Sequence, residues 1–61
     1  MDYKTKLLLR GYEEYFSELS IEYYEKATDL NYSETERARY LGRSQAYDIS
    51  AMFIKRLIGE E

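Results

Sequence analysis

The sequence contains no cysteine and no histidine. Small folds below about 70–80 residues are commonly stabilised by disulfides or by a structural metal, and neither device is open to this chain. The absence of cysteine also excludes a disulfide-built secreted scaffold, although it leaves the redox compartment undecided. A chain of 61 residues forms one domain and buries only about 60% of its unfolded surface. We therefore expect oligomerisation or very regular helix packing to stabilise it.

Proline, valine and tryptophan are absent as well. The abundance of Glu, Arg, Leu and Tyr, with few β-branched residues, favours helix throughout. Long apolar runs are also lacking, because the longest is Leu7-Leu8-Leu9. This excludes a transmembrane segment and the apolar core of a signal peptide. We therefore expect no membrane partner and a cytoplasmic location, in the host cytoplasm if the gene is viral.

Two helices are predicted, over about residues 3–28 and 34–58, with a turn at 29–33. Asp2 or Thr5 can cap the first helix, and Asn31 can end it in the left-handed conformation. Ser33-Glu34-Thr35-Glu36 matches a capping box for the second helix, with Ser33 as N-cap. Gly59 is suited to end that helix. Since so short a turn makes two helices antiparallel neighbours, we predict one all-α helical-hairpin domain over residues 1–61.

Helix 1 has one broad apolar stripe, which we expect to face helix 2. With heptad spacing it consists of Leu9, Tyr12, Phe16, Leu19, Tyr23 and Leu30, interrupted by Lys26 and widened by Leu8, Tyr15 and Ala27. The breadth of the stripe is typical of a bundle helix.

Helix 2 has apolar residues on two opposite sides. The first stripe, which we expect to pack on helix 1, consists of Leu41, Gln45, Ile49, Met52, Phe53 and Leu57, with the small residues Ala38, Gly42 and Ala46 beside it. We expect Gly42 and Ala46 to let the two helices approach closely. The second stripe, which we expect to form an oligomer interface, consists of Tyr40, Ser44, Tyr47, Ala51, Ile54 and Ile58. A helix that is apolar all round needs neighbours all round.

Two such hairpins can pair as a four-helix-bundle homodimer. This layout resembles the Rop-type hairpin dimer in size and outline. None of that family's motifs is present, so the resemblance implies no RNA-binding role.

Glu14, Glu18, Glu22 and Glu25 form an acidic row on helix 1, and no Lys or Arg occurs between Gly11 and Glu25. Charge runs of this kind are commonly a solvated face. The other interpretation is that the row binds a protein partner with a basic surface, where charge complementarity speeds association. The eight tyrosines also suit a protein interface, since their rings are apolar and their hydroxyls polar.

Arg37, Arg39 and Arg43 cluster near the start of helix 2. Tyr40 lies between the second and third arginines, and Tyr47 follows the third. Basic residues interleaved with aromatics can bind RNA or single-stranded DNA. The net charge of −3 argues against nucleic acid as a partner, because such domains are usually basic. Ion pairs within the hairpin or the dimer are the simpler interpretation of these arginines.

No catalytic constellation, metal ligand set or cofactor motif is present. A carboxylate-bridged di-iron site needs Glu-x-x-His, and the serines have no general base to activate them. We expect a small, acidic, non-enzymatic regulator or inhibitor that binds another protein, similar in size and style to accessory proteins of phages and mobile elements. The alternatives are a Rop-like RNA- or DNA-binding adaptor and a structural subunit of a larger assembly.

Overall fold

A computed structural model describes residues 1–59 of the chain. It contains two antiparallel helices, α1 (Tyr3–Ala27) and α2 (Glu34–Leu57), which pack along their length as a hairpin. Both helices match the predicted bounds to within one residue. The Cα atoms extend over 45 × 14 × 14 Å, so the hairpin is a rod.

Asp2 caps the start of α1. Its Oδ1 accepts a hydrogen bond of 2.7 Å from the backbone N–H of Thr5, which satisfies one of the unpaired donors of the first turn. The same hydrogen bond lowers the pKa of the Asp2 carboxyl, because it stabilises the charged form. Of the two predicted caps, Asp2 is therefore the one used.

The turn after α1 is built from side-chain hydrogen bonds. Thr28 Oγ1 donates to the carbonyls of Tyr24 and Glu25 at 3.2 and 3.1 Å, and the N–H of Asn31 donates to Asp29 Oδ1 at 2.9 Å. No residue other than Gly59 has a positive φ in the part of the chain described. The left-handed conformation predicted for Asn31 is therefore wrong, since side-chain oxygens of Thr28 and Asp29 satisfy the backbone there.

The capping box of α2 is confirmed. Ser33 Oγ accepts from the N–H of Glu36 at 3.1 Å, and Glu36 Oε1 accepts from the N–H of Ser33 at 3.5 Å. At the other end Gly59 has a φ of 80°, the left-handed conformation that glycine adopts at helix ends. Both ends of α2 are thus specified by local sequence.

The two helices meet along a single seam whose residues alternate three and four apart, the spacing of a coiled coil. On α1 the seam consists of Lys6, Leu9, Glu13, Phe16, Ser20, Tyr23 and Ala27, all half-buried. On α2 it consists of Arg37, Tyr40, Ser44, Tyr47, Ala51, Ile54 and Ile58, all buried or half-buried.

Ring stacking and one serine pair fix the register. Tyr23 stacks on Tyr40 and on Tyr47, with ring centroids 5.9 and 5.7 Å apart, and Phe16 stacks on Tyr47 at 5.8 Å. Between these rings Ser44 Oγ donates to the carbonyl of Ser20 at 2.8 Å. Because the side chains of both serines are small, the two helices can approach closely at the centre of the rod.

This packing reverses the predicted roles of the two stripes of α2. The stripe assigned to an oligomer interface — Tyr40, Ser44, Tyr47, Ala51, Ile54 and Ile58 — lies in the seam against α1, and Ala51 is only 5% exposed. The stripe assigned to α1 points outward, and its Ile49 is 66% exposed. The second stripe packs against α1 because its rings stack on those of α1 and its small residues let the two helices approach each other.

The face of α1 also differs from the prediction. Leu9, Phe16 and Tyr23 lie in the seam as expected, but Tyr12 is exposed and Leu30 is 84% exposed. The helix is rotated so that Glu13 and Ser20 face α2 instead. Gly42 lies outside the seam, and a Cβ built on it would meet no atom within 4 Å. Its predicted role in close helix approach is therefore wrong.

The hairpin has a thin core. Among residues 1–59 the buried apolar side chains are Ala51, Ile54 and Ile58. The accessible surface is 4885 Å², whereas a folded monomer of 7.4 kDa exposes roughly 4,200 Å². The radius of gyration is 13.9 Å, against about 10.5 Å for a compact domain of this length. A single hairpin therefore exposes more surface to solvent than a compact monomer of the same mass.

Candidate protein interface

The seam divides the surface of the rod into two flanks. On each helix the seam residues form pairs that are three positions apart. One flank contains the residues that directly precede these pairs, and the other contains the residues that directly follow them. In an antiparallel pair the corresponding positions of the two helices share a flank. We call these surfaces the tyrosine flank and the groove flank.

The tyrosine flank is apolar in the half of the rod that is remote from the turn. Leu8, Gly11, Tyr12 and Tyr15 line a shallow depression there. The apolar residues of this half are Leu8, Tyr12, Tyr15 and Leu19 on α1 with Ala46, Phe53 and Leu57 on α2. Leu8 is 61% exposed and Phe53 63% exposed. Large apolar side chains that gather on one exposed flank are typical of surfaces that bind another molecule.

The half of the tyrosine flank near the turn is charged, because Glu36 and Arg39 lie there with Arg43 and Lys26 lies opposite them on α1. Lys26 Nζ lies 5.3 and 5.6 Å from the ring centroids of Tyr23 and Tyr40, and Arg43 Cζ lies 5.6 Å from the centroid of Tyr23. Both cations thus reach across the seam and shield its rings, a contact worth about 0.5–1 kcal/mol at an exposed site. Charge and apolar surface are therefore separated along this flank.

The groove flank contains an open groove of about 320 Å³ between the helices. It is lined by Ser20, Ile21, Tyr24, Leu41, Ser44, Gln45 and Asp48. Ile21 and Tyr24 of α1 lie beside Leu41 of α2 in this groove, so its apolar lining extends over both helices.

The four residues of the acidic row, Glu14, Glu18, Glu22 and Glu25, are all exposed. They lie on the side of α1 that faces away from α2, because the seam occupies the opposite side. The structure therefore places the whole row on one accessible surface. A charged partner could reach all four carboxylates together.

The three arginines do not share a surface. Arg37 lies in the seam and is half-buried, and its Nε has no hydrogen-bond partner among the described residues. Arg43 stacks over Tyr23. Arg39 is exposed and lines a shallow hollow with Glu36, Tyr40 and Arg43. The predicted cluster is thus split between the seam and the tyrosine flank.

The tyrosine flank was missed by sequence reasoning because Leu8, Tyr12, Tyr15 and Leu19 were assigned to the core. The seam was hidden by its polar members, since Lys6 and Glu13 of α1 occupy positions at which an apolar residue is expected. The informative pattern is the unbroken alternation of three and four residues from Lys6 to Ala27. It becomes recognisable only when small and polar residues are accepted as seam members.

Within residues 1–59, no group of three or more Asp, Glu, His or Cys side chains is placed to hold a metal ion. Neither helix in that range has the length and apolar content to cross a membrane. The chain matches no protein-family model, and no similar curated protein or solved structure was found.

Proposed function

We propose that this chain is a small, acidic, non-enzymatic regulator or inhibitor that binds another protein and self-associates into a helical bundle. Encoding by a phage or mobile element, with action in the host cytoplasm, fits a chain of this size and style. The observation that supports the proposal best is the placement of large apolar side chains on the outside. Tyr12, Tyr15, Ile49, Phe53 and Leu57 are each at least half exposed, and aromatic residues of this kind are enriched in protein interfaces.

The acidic row supplies a binding surface for the other protein. Four carboxylates on one accessible face of α1 are complementary to a basic surface, and such complementarity raises the association rate more than the affinity. The apolar surface lies apart from this row, so self-association and partner binding need not compete.

The partner is to be identified by affinity purification from the native host, and binding is then measured with the purified pair. Glu18→Lys combined with Glu22→Lys should slow association at least about tenfold at low salt, because electrostatic steering is lost. The matched control is Glu34→Lys combined with Asp48→Lys, which changes the net charge equally at exposed residues outside the row. If the Glu18 and Glu22 variant binds as fast as the wild type, or no more slowly than the control variant, the acidic row is only a solvated face.

A Rop-like RNA or DNA adaptor is supported less well, because Arg37 lies in the seam and Arg43 is engaged with Tyr23. Binding to nucleic acid would fall steeply as salt is raised, through release of counterions. A purely structural subunit would instead be polydisperse or poorly folded when isolated. Titration with duplex and single-stranded nucleic acid at two salt concentrations, and light scattering of the isolated chain, separate these alternatives.

A further inference from the structure

We propose that the apolar half of the tyrosine flank is covered by the same surface of a second copy of the chain. This inference rests on the self-association proposed above and assigns it to a defined face. That face consists of Leu8, Tyr12, Tyr15 and Leu19 of α1 and Ala46, Phe53 and Leu57 of α2. It is distinct from the seam, which is already filled by the hairpin's own helices.

The excess surface of the hairpin has the size of half a dimer interface. The chain exposes 4885 Å², about 700 Å² more than a folded monomer of this mass. Two copies that each bury this excess would remove about 1,400 Å² from water. Stable specific interfaces bury about 1,200–2,000 Å² in total.

The side chains on the face account for most of that area. Leu8, Tyr12, Tyr15, Phe53 and Leu57 are each 50–63% exposed. With roughly 150–250 Å² for a large aromatic side chain, each offers about 100 Å², so two copies together offer about 1,000 Å². Leu19 and Ala46 at the centre add to this area. The sum approaches the lower end of the range for stable specific interfaces.

The two helices contribute residues of different size to the face. On α1 these include the bulky Tyr12 and Tyr15, and on α2 the small Ala46 and Ser50 beside Phe53. In a two-fold dimer with α1 of one copy on α2 of the other, the tyrosines of each copy can lie on the small residues of its partner.

Polar residues border the apolar half, as they do at the rim of an interface. Lys26 and Arg43 occupy the same flank near the turn, held over the rings of the seam. They mark where the apolar contact ends. The acidic row on the outer side of α1 stays accessible in such a dimer.

Two double variants test the face. Leu8→Glu with Phe53→Glu places charges on it, whereas Ile21→Glu with Leu41→Glu places them on the groove flank. Leu8 and Ile21 are both 61% exposed, and Phe53 and Leu41 are 63% and 40% exposed. Sedimentation equilibrium should give a dimer dissociation constant at least about 100-fold weaker for the first variant, since two apolar anchors are lost. The second variant should change it less than about threefold.

The results of these measurements distinguish a wrong assignment of the face from an absence of self-association. A wild-type chain that stays monomeric to millimolar concentration overturns both. A dimer that the Ile21 and Leu41 variant dissociates, while the Leu8 and Phe53 variant does not, overturns only the assignment of the face. Circular dichroism reports whether each variant remains helical.

A measurement on the wild type needs no variant to fold. Proton NMR on dilution should shift the ring signals of Tyr12, Tyr15 and Phe53 and leave those of Tyr24, which lies on the groove flank, unchanged. The reverse pattern contradicts the proposal.

Discussion

Two glycines inside the helices weaken the hairpin without serving its packing. Gly11 lies within α1 and Gly42 within α2, and a Cβ built on either would meet no atom within 4 Å. Neither has a positive φ, in contrast to Gly59. Alanine should therefore fit both sites and restrict the unfolded chain at the same time.

The expected gain is large for so small a fold. Glycine costs about 0.8–1.0 kcal/mol relative to alanine in a helix interior, so Gly11→Ala with Gly42→Ala should add about 2 kcal/mol to the free energy of unfolding. At about 2.1 cal/mol/K per residue, a chain of 61 residues unfolds with an entropy near 0.13 kcal/mol/K. The melting temperature should then rise by about 15 °C for the double variant and about 8 °C for each single variant.

The assay is thermal melting by circular dichroism at fixed chain concentration. Gly59→Ala is the control, because a φ of 80° is strained for alanine, and it should give no gain. If neither Gly11→Ala nor Gly42→Ala raises the melting temperature, the outward orientation of these glycines is wrong. Gly11 borders the depression on the tyrosine flank. If the rise in melting temperature caused by Gly11→Ala disappears only at high chain concentration, a second chain covers this depression.

Three further outcomes test the caps and the seam. Ser33→Ala should lower the free energy of unfolding by about 1 kcal/mol, measured in urea, because the N-cap of α2 is lost; an unchanged midpoint would locate the start of the helix elsewhere. Ala51→Glu should unfold the chain at every concentration, since it buries an unpaired charge in the seam, whereas Ile49→Glu should leave the circular dichroism spectrum intact. The pKa of Asp2, measured by NMR, should lie below its ordinary value of 3.8, so its cap stabilises the fold above that pH and is lost as the pH falls through the lowered pKa; an ordinary pKa would show that the hydrogen bond from Thr5 is absent.

The helix bounds could be predicted because their determinants are local. Ser33 and Glu36 lie three residues apart and need no tertiary contact to form a capping box. Asn31 shows the limit of such reasoning, since either its own left-handed conformation or the side chains of Thr28 and Asp29 can end the helix. The structure uses the latter.

The identity of the seam could not be predicted from α2 alone. Both of its stripes have helical spacing and comparable apolar content, and the choice depends on pairs such as Ser20 with Ser44 and Phe16 with Tyr47. These pairs lie far apart in sequence. A pattern that ranks positions by apolar character favours Leu41 and Phe53 over serine and alanine, whereas helix packing favours small residues where two backbones come close.

The position of the ring stack relative to the turn has a consequence for the order of folding. Closing the contact between Tyr23 and Tyr40 encloses a much shorter loop than closing one near Leu9 and Ile54, and loop-closure entropy increases with loop length. The rings nearest the turn can thus join first, with the capping box already fixing the start of α2. Each later contact between the two helices then closes only a small additional loop, so the hairpin should form progressively from the turn towards its ends. Because such stepwise local closure has a low contact order, folding should be fast, on the microsecond to millisecond timescale of helical bundles.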